Sequence, residues 1–172
     1  KSNLEILHNL KNIITFKRAY PDKVILLTGN HDIQYMTSNV YCQCKGFRPE
    51  AYYDLHYLFR DNRELFQMAF KYKDWLWTHA GVTKSFLTEC IDMMRDKSYR
   101  FYDQTKDMKI DELLNFMLEV GNPDLYNVGD ASGGSSLSPS PIWARPSELD
   151  NDPIMLNQIV GHTHYRNIVE RE

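Results

Sequence analysis

Three apolar runs in this chain end alike. "LLTGNHD" (26–32), "LWTHAG" (76–81) and "QIVGHTH" (158–164) each pass from strand-forming residues straight into a turn bearing glycine and histidine. Short apolar runs bounded by turn signals predict buried strands. Runs apolar on both faces belong to sheets covered by helices, so the chain is expected to be α/β. In such sheets, ligands collect at the C-terminal ends of the strands. Repetition of one ending at three strands therefore points to a shared site.

The intervening segments fit that frame. Ser2 and Glu5 have capping-box spacing, and Ile6, Leu7, Leu10, Ile13 and Ile14 follow at helical intervals. Pro21 and Asp22 stop this helix, and residues 24–28 predict a fully buried strand. Residues 54–71 predict a second helix, with Leu55, Leu58, Phe59, Leu65, Phe66 and Phe70 as its apolar face. Residues 75–78 predict a strand, and 83–94 and 109–120 predict further helices. The Gly-, Ser- and Pro-rich stretch 129–141 predicts a loop. A chain of 172 residues has room for one domain with a sizeable core.

Charge and cysteine content narrow the function classes. A net charge of −3 gives no general attraction to nucleic acid or to anionic membranes. No stretch is apolar for long enough to span a bilayer. Cys42, Cys44 and Cys90 are odd in number and lack disulfide-framework spacing. They are expected to be reduced structural thiols, which suits a cytoplasmic setting.

Four of the six histidines, His31, His79, His162 and His164, stand at the three strand ends. Neutral imidazole suits Zn, Fe, Ni and similar ions, and the side-chain oxygen of Asn30 can add a harder ligand. Gly29, Gly81 and Gly161 would let the backbone turn sharply there. In an extended segment His162 and His164 share one side. A single histidine after a strand is usually just hydrogen-bonded; three coincident strand ends favour a metal site. His8 and His56 fall within helices as ordinary helix residues. Arg145 has the planar fork that binds phosphate, though a surface arginine in a loop fits the sequence equally well. Arg48 and Arg166 are weaker candidates.

"GNHD", "HAG" and "GHTH", in this order, resemble the later motifs of the calcineurin-like metallophosphoesterases. Residues 4–32 are similar to the helix–strand segment of the serine/threonine phosphoprotein phosphatase branch. "IWARP" (142–146) resembles the Trp-x-x-Pro element before that branch's last histidine. The resemblance implies a four-layer β-sandwich flanked by helices, with two divalent ions (Mn, Fe, Zn or Ni) at the strand C-termini. It implies a phosphomonoesterase acting on phosphoproteins or nucleotides, in which a hydroxide bridging the metals attacks phosphorus. Asn30, His79 and His162 match ligands of the second metal, and His164 matches a ligand of the first. His31 matches the general acid. Asp32 completes the catalytic pair as a hydrogen-bond acceptor rather than a ligand. Arg145 is assigned to the substrate phosphate.

The resemblance also implies two earlier motifs, Asp-x-His and Gly-Asp-x-x-Asp-Arg-Gly, which supply the carboxylates. Neither occurs here. The expectation is an N-terminally truncated, incomplete sandwich that holds one metal or none by itself. Two alternatives remain open: a phosphodiesterase of the same superfamily, where "GHTH" is common, and a non-catalytic binding module.

Overall fold

The computed structural model describes residues 2–170. They form a mixed α/β chain with seven α-helices and two small sheets, and no closed barrel among the described residues. The chain divides after Gln67 into two compact units.

The first unit opens with α1 (Asn3–Ala19). Its start is the capping box: Glu5 N–H donates to Ser2 Oγ at 3.2 Å, and Ser2 N–H donates to Glu5 Oε2 at 2.5 Å. Then follow β1 (Leu26–Leu27), α2 (Asn30–Met36), α3 (Tyr52–Arg60) and β2 (Phe66–Gln67). β1 and β2 run parallel, with Leu26 opposite Phe66 and Leu27 opposite Gln67. Leu10 and Ile14 of α1, Tyr35 of α2, and Leu55 and Phe59 of α3 form this unit's core.

Two expectations need correction in this unit. The strand at 24–28 is reduced to Leu26–Leu27 and is only half-buried, because the sheet it joins has a single partner strand. The helix expected over 54–71 ends at Arg60. Asn62 ends it: its Nδ2 donates to the Leu58 carbonyl at 2.7 Å and its Oδ1 accepts from Arg18 Nη2 at 2.7 Å. Phe66, expected on the same helix face as Phe59, instead meets its ring edge-on from β2 at 5.0 Å.

The second unit is built on β3 (Ala69–Tyr72), β4 (Trp75–Thr78) and β5 (Asn157–Ile159), in the order β3-β4-β5. β3 and β4 form a hairpin whose turn places Lys73 at φ 54°. β4 and β5 are parallel, with Trp75, Leu76 and Trp77 opposite Asn157, Gln158 and Ile159. Between them lie α4 (Lys84–Arg95), α5 (Tyr102–Thr105), α6 (Ile110–Val120) and α7 (Pro146–Asn151). α4 and α6 match the sequence expectation, Thr83 capping α4 through its side chain. Phe86 and Cys90 of α4 are buried, as are Leu113, Leu114 and Met117 of α6 and Leu76 of β4.

α6 also supplies the start of β3 with hydrogen bonds. Asn115 Oδ1 accepts from Met68 N–H (2.8 Å) and Ala69 N–H (3.0 Å), while Asn115 Nδ2 donates to the Ala69 carbonyl (2.9 Å). Met68 and Ala69 are wholly buried, so water cannot replace this amide. Asn115→Ala is expected to cost about 2–4 kcal/mol, since two backbone donors lose their acceptor. A urea titration checks this, as a lowered midpoint with unchanged slope.

Candidate metal centre

The parallel register of β4 and β5 puts their C-terminal ends side by side, and each strand runs on into a histidine. His79 Nε2 lies 3.1 Å from His162 Nδ1, with the rings edge-to-face at 5.0 Å. Gly161 N–H donates to the His79 carbonyl at 2.9 Å, so the two strand ends are tied at the residues that carry the pair. Gln158 braces the next turn: its Oε1 accepts from Val82 N–H (2.7 Å) and its Nε2 donates to the Val82 carbonyl (3.0 Å).

Of the three glycines expected to permit these turns, only Gly81 needs to be glycine. Its φ is +108°, and a Cβ there would lie 2.6 Å from Leu149 Cδ1. Gly81→Ala is expected to destabilise the chain by about 1–3 kcal/mol, measured as a drop in thermal midpoint. Gly29 has φ −109°, open to any residue, and the left-handed position in "GHTH" belongs to His162 itself, at φ 62°. Thr163 N–H donates to the Gly161 carbonyl at 2.7 Å, closing a three-residue γ-turn centred on His162. Non-glycine residues with positive φ are uncommon and concentrate at functional sites.

That turn also decides the position of His164. The segment is not extended, so the alternation that would put His162 and His164 on one side does not apply. His164 is exposed, and no hydrogen bond joins it to another described residue.

The loop at 129–141 is laced rather than free. Ser132, Gly134, Ser136 and Ser140 donate backbone N–H groups to carbonyls of Gly129, Gly129, Val128 and Asn127. It ends against the histidine pair. Trp143 meets His162 edge-on at 5.9 Å. Arg145 Nε donates to Ser132 Oγ (2.8 Å) and Arg145 Nη1 to Thr163 Oγ1 (3.3 Å). The guanidinium is therefore anchored beside the His162 turn and is not a loose surface side chain. Trp143 as a wall for His162 was not foreseen; "IWARP" was the available signal.

Asn30, His31 and Asp32 lie in the first unit. "GNHD" is not a free turn but the first turn of α2. Asp32 folds back and accepts the Gly29 N–H at 2.9 Å. Burial pushes its carboxyl above the ordinary carboxylate range, opposed by the Gly29 hydrogen bond and by the nearby His31. Asn30 is buried and His31 is exposed. Cys44 was not foreseen here: its Sγ lies 3.5 Å from His31 Nδ1. Burial, then the charge of Asp32, pushes the Cys44 thiol up. A cavity of about 230 Å³ adjoins this turn, lined by Ile6, Leu10, His31, Asp32, Arg48 and Phe59 among others. Arg48 Nη1 donates to Asn3 Oδ1 at 2.8 Å, and Arg166 is exposed. His56, taken as an ordinary helix residue, has Nδ1 2.9 Å from the Tyr35 carbonyl and stacks on Tyr52.

All three cysteines are free. Burial raises Cys42 to about 11 and Cys90 to about 12, which keeps them as thiols at neutral pH. No helix of the described residues is long and apolar enough to cross a membrane.

Two nitrogens bound to one Zn-like ion at about 2.0–2.1 Å stand about 2.8–3.4 Å apart, from right-angled to tetrahedral geometry. The two histidine nitrogens share a hydrogen bond at 3.1 Å, its direction set by the tautomers, and the same separation lies within the range for two ligands of one ion. Among the described residues, no group of three His, Cys, Asp or Glu is gathered as a complete set. No protein-family model, curated protein or solved structure matches the chain.

Proposed function

We propose that this chain belongs to a metal-dependent phosphoric ester hydrolase of the calcineurin-like metallophosphoesterase type, on the phosphoprotein phosphatase side. The observation that carries this reading is the His79–His162 pair at adjacent strand ends, at the spacing of ligands to a shared ion. The sandwich fold of that superfamily, and a reducing cytoplasmic setting suited to free thiols, are part of the proposal.

In this reading His79 and His162 hold a divalent ion; the family resemblance is what assigns Asn30 as an oxygen ligand and His164 as a ligand of a further ion. Bound ions would polarise the phosphoryl oxygens and lower the pKa of water. The chain's own groups do the rest. Arg145, fixed by Ser132 and Thr163, offers its fork to the phosphate of a phosphoprotein or nucleotide. His31, exposed at the head of α2, gives a proton to the leaving oxygen. Asp32 holds the α2 turn closed through Gly29 and so fixes where His31 projects. No role for nucleic acid or membrane is proposed.

Two divalent ions bring about four positive charges, and imidazole and amide ligands offset none of them. A two-metal centre would therefore need carboxylate ligands besides these, the part that the Asp-x-His and Gly-Asp-x-x-Asp-Arg-Gly motifs play in the superfamily. The test is hydrolysis of p-nitrophenyl phosphate and its bis ester with Mn²⁺. It is run on this chain and on a version extended at its N-terminus by the two aspartate motifs. Strong monoester hydrolysis by the extended protein, and weak or none by the chain alone, is expected. Equal, strong activity in both contradicts the charge argument, and preference for the bis ester favours the phosphodiesterase reading.

A further inference from the structure

Gln34 is a glutamine buried to 2% exposure in α2, and both ends of its amide are engaged. Nε2 donates to the His31 carbonyl at 3.0 Å, and Oε1 accepts the Cys44 N–H at 3.1 Å. That second bond returns the chain over the first turn of α2 and sets the Cys44 sulfur among four polar atoms. Sγ lies 3.5 Å from His31 Nδ1, 3.8 Å from Asn30 Nδ2, 3.4 Å from Gln34 Oε1 and 3.8 Å from the Asn30 carbonyl oxygen.

A thiol has one proton to give, and its sulfur accepts weakly. Asn30 Nδ2 presents only protons to the sulfur, and Gln34 Oε1 presents only lone pairs. If the S–H pointed at His31 Nδ1, sulfur and oxygen lone pairs would face each other at 3.4 Å. If it points at Gln34 Oε1, sulfur accepts from Asn30 Nδ2 and from a proton on His31 Nδ1, and only the longer contact to the Asn30 carbonyl oxygen, at 3.8 Å, is left without a proton. Sulfur hydrogen bonds are weak singly, but several together in one partly buried cluster fix an orientation.

We infer that Cys44 is a positioning residue for His31, holding Nδ1 as the N–H nitrogen and so turning Nε2 toward the reactant. The two ring nitrogens are distinct, and the bond at one sets the role of the other. When the imidazolium acts as acid, the proton leaves from Nε2 to the leaving oxygen. The ring returns to the neutral Nδ1–H form that Cys44 accepts. The catalytic meaning of this arrangement rests on the proposed function; the tautomer does not.

The test is a long-range ¹H–¹⁵N correlation on the ¹⁵N-labelled chain with the His31 ring neutral. Nδ1 is expected in the protonated, pyrrole-like range and Nε2 in the unprotonated, pyridine-like range. Cys44→Ser, which keeps an acceptor, should preserve that pattern. Cys44→Ala should exchange it for the Nε2–H form that free imidazole prefers in water. A wild-type ring already in the Nε2–H form overturns the inference, as does an unchanged tautomer in Cys44→Ala. Should Cys44→Ala fail to fold, the wild-type and Cys44→Ser spectra decide. Absence of phosphatase activity would remove the role of His31 and leave the tautomer standing. The opposite tautomer would remove the role of Cys44 and leave the hydrolase reading standing.

Discussion

In an N-terminally extended, metal-loaded form of this protein, His31→Ala is expected to lower kcat by about 10²–10⁴-fold, the range a positioned general acid contributes. KM should change little, because the proton is shared only in the transition state. The loss should also depend on the leaving group. An alkyl phosphate releases a basic alkoxide that needs the proton, so it should show the full effect. p-Nitrophenolate leaves readily without one, so the same variant should be far less impaired on that substrate. A uniform loss on both would mean that His31 acts on binding or stability instead.

The second large effect is on metal affinity. His79→Ala or His162→Ala is expected to weaken Zn²⁺ or Mn²⁺ binding by about 100-fold or more, since loss of even an outer-shell partner costs about 10–100-fold. Calorimetric titration reads this directly. His162 has φ 62°, so alanine there keeps a strained backbone, whereas His162→Gly accepts that φ at no steric cost. Loss of binding in His162→Gly with undiminished thermal stability would assign the loss to the imidazole rather than to unfolding. His164→Ala, at an exposed position, should leave binding to the pair unchanged.

Much of the local structure was legible because local chemistry decides it. The Ser2–Glu5 box starts α1 and Thr83 caps α4. "WLWT" folds as the strand its composition predicts, with Leu76 buried and Trp75 out. Residues 54–71 read as one helix because Leu65, Phe66 and Phe70 stand at spacings that suit a helix face as well as two short strands. Asn62, which settles the matter, does so through Arg18, far away in sequence.

The candidate site divides in the same way. The histidines were visible as strand-end repeats, and the parallel pairing of β4 with β5 brings two of them together. Periodicity placed His164 beside His162 by assuming an extended segment; a γ-turn set by the Gly161 carbonyl has no periodic signature. The contact of Cys44 with His31 is not legible in the sequence because it depends on the chain's return to Gln34. Nothing in the local "CQCKG" pattern records that return.

Whether the β4 and β5 ends form a metal-binding histidine pair is read by ¹⁵N spectroscopy of the histidine rings while the chain is titrated with Zn²⁺, a diamagnetic probe. His79 Nε2 and His162 Nδ1 should shift together and saturate with the same added ion. Both resonances unmoved, or only one of them responding, would contradict such a pair.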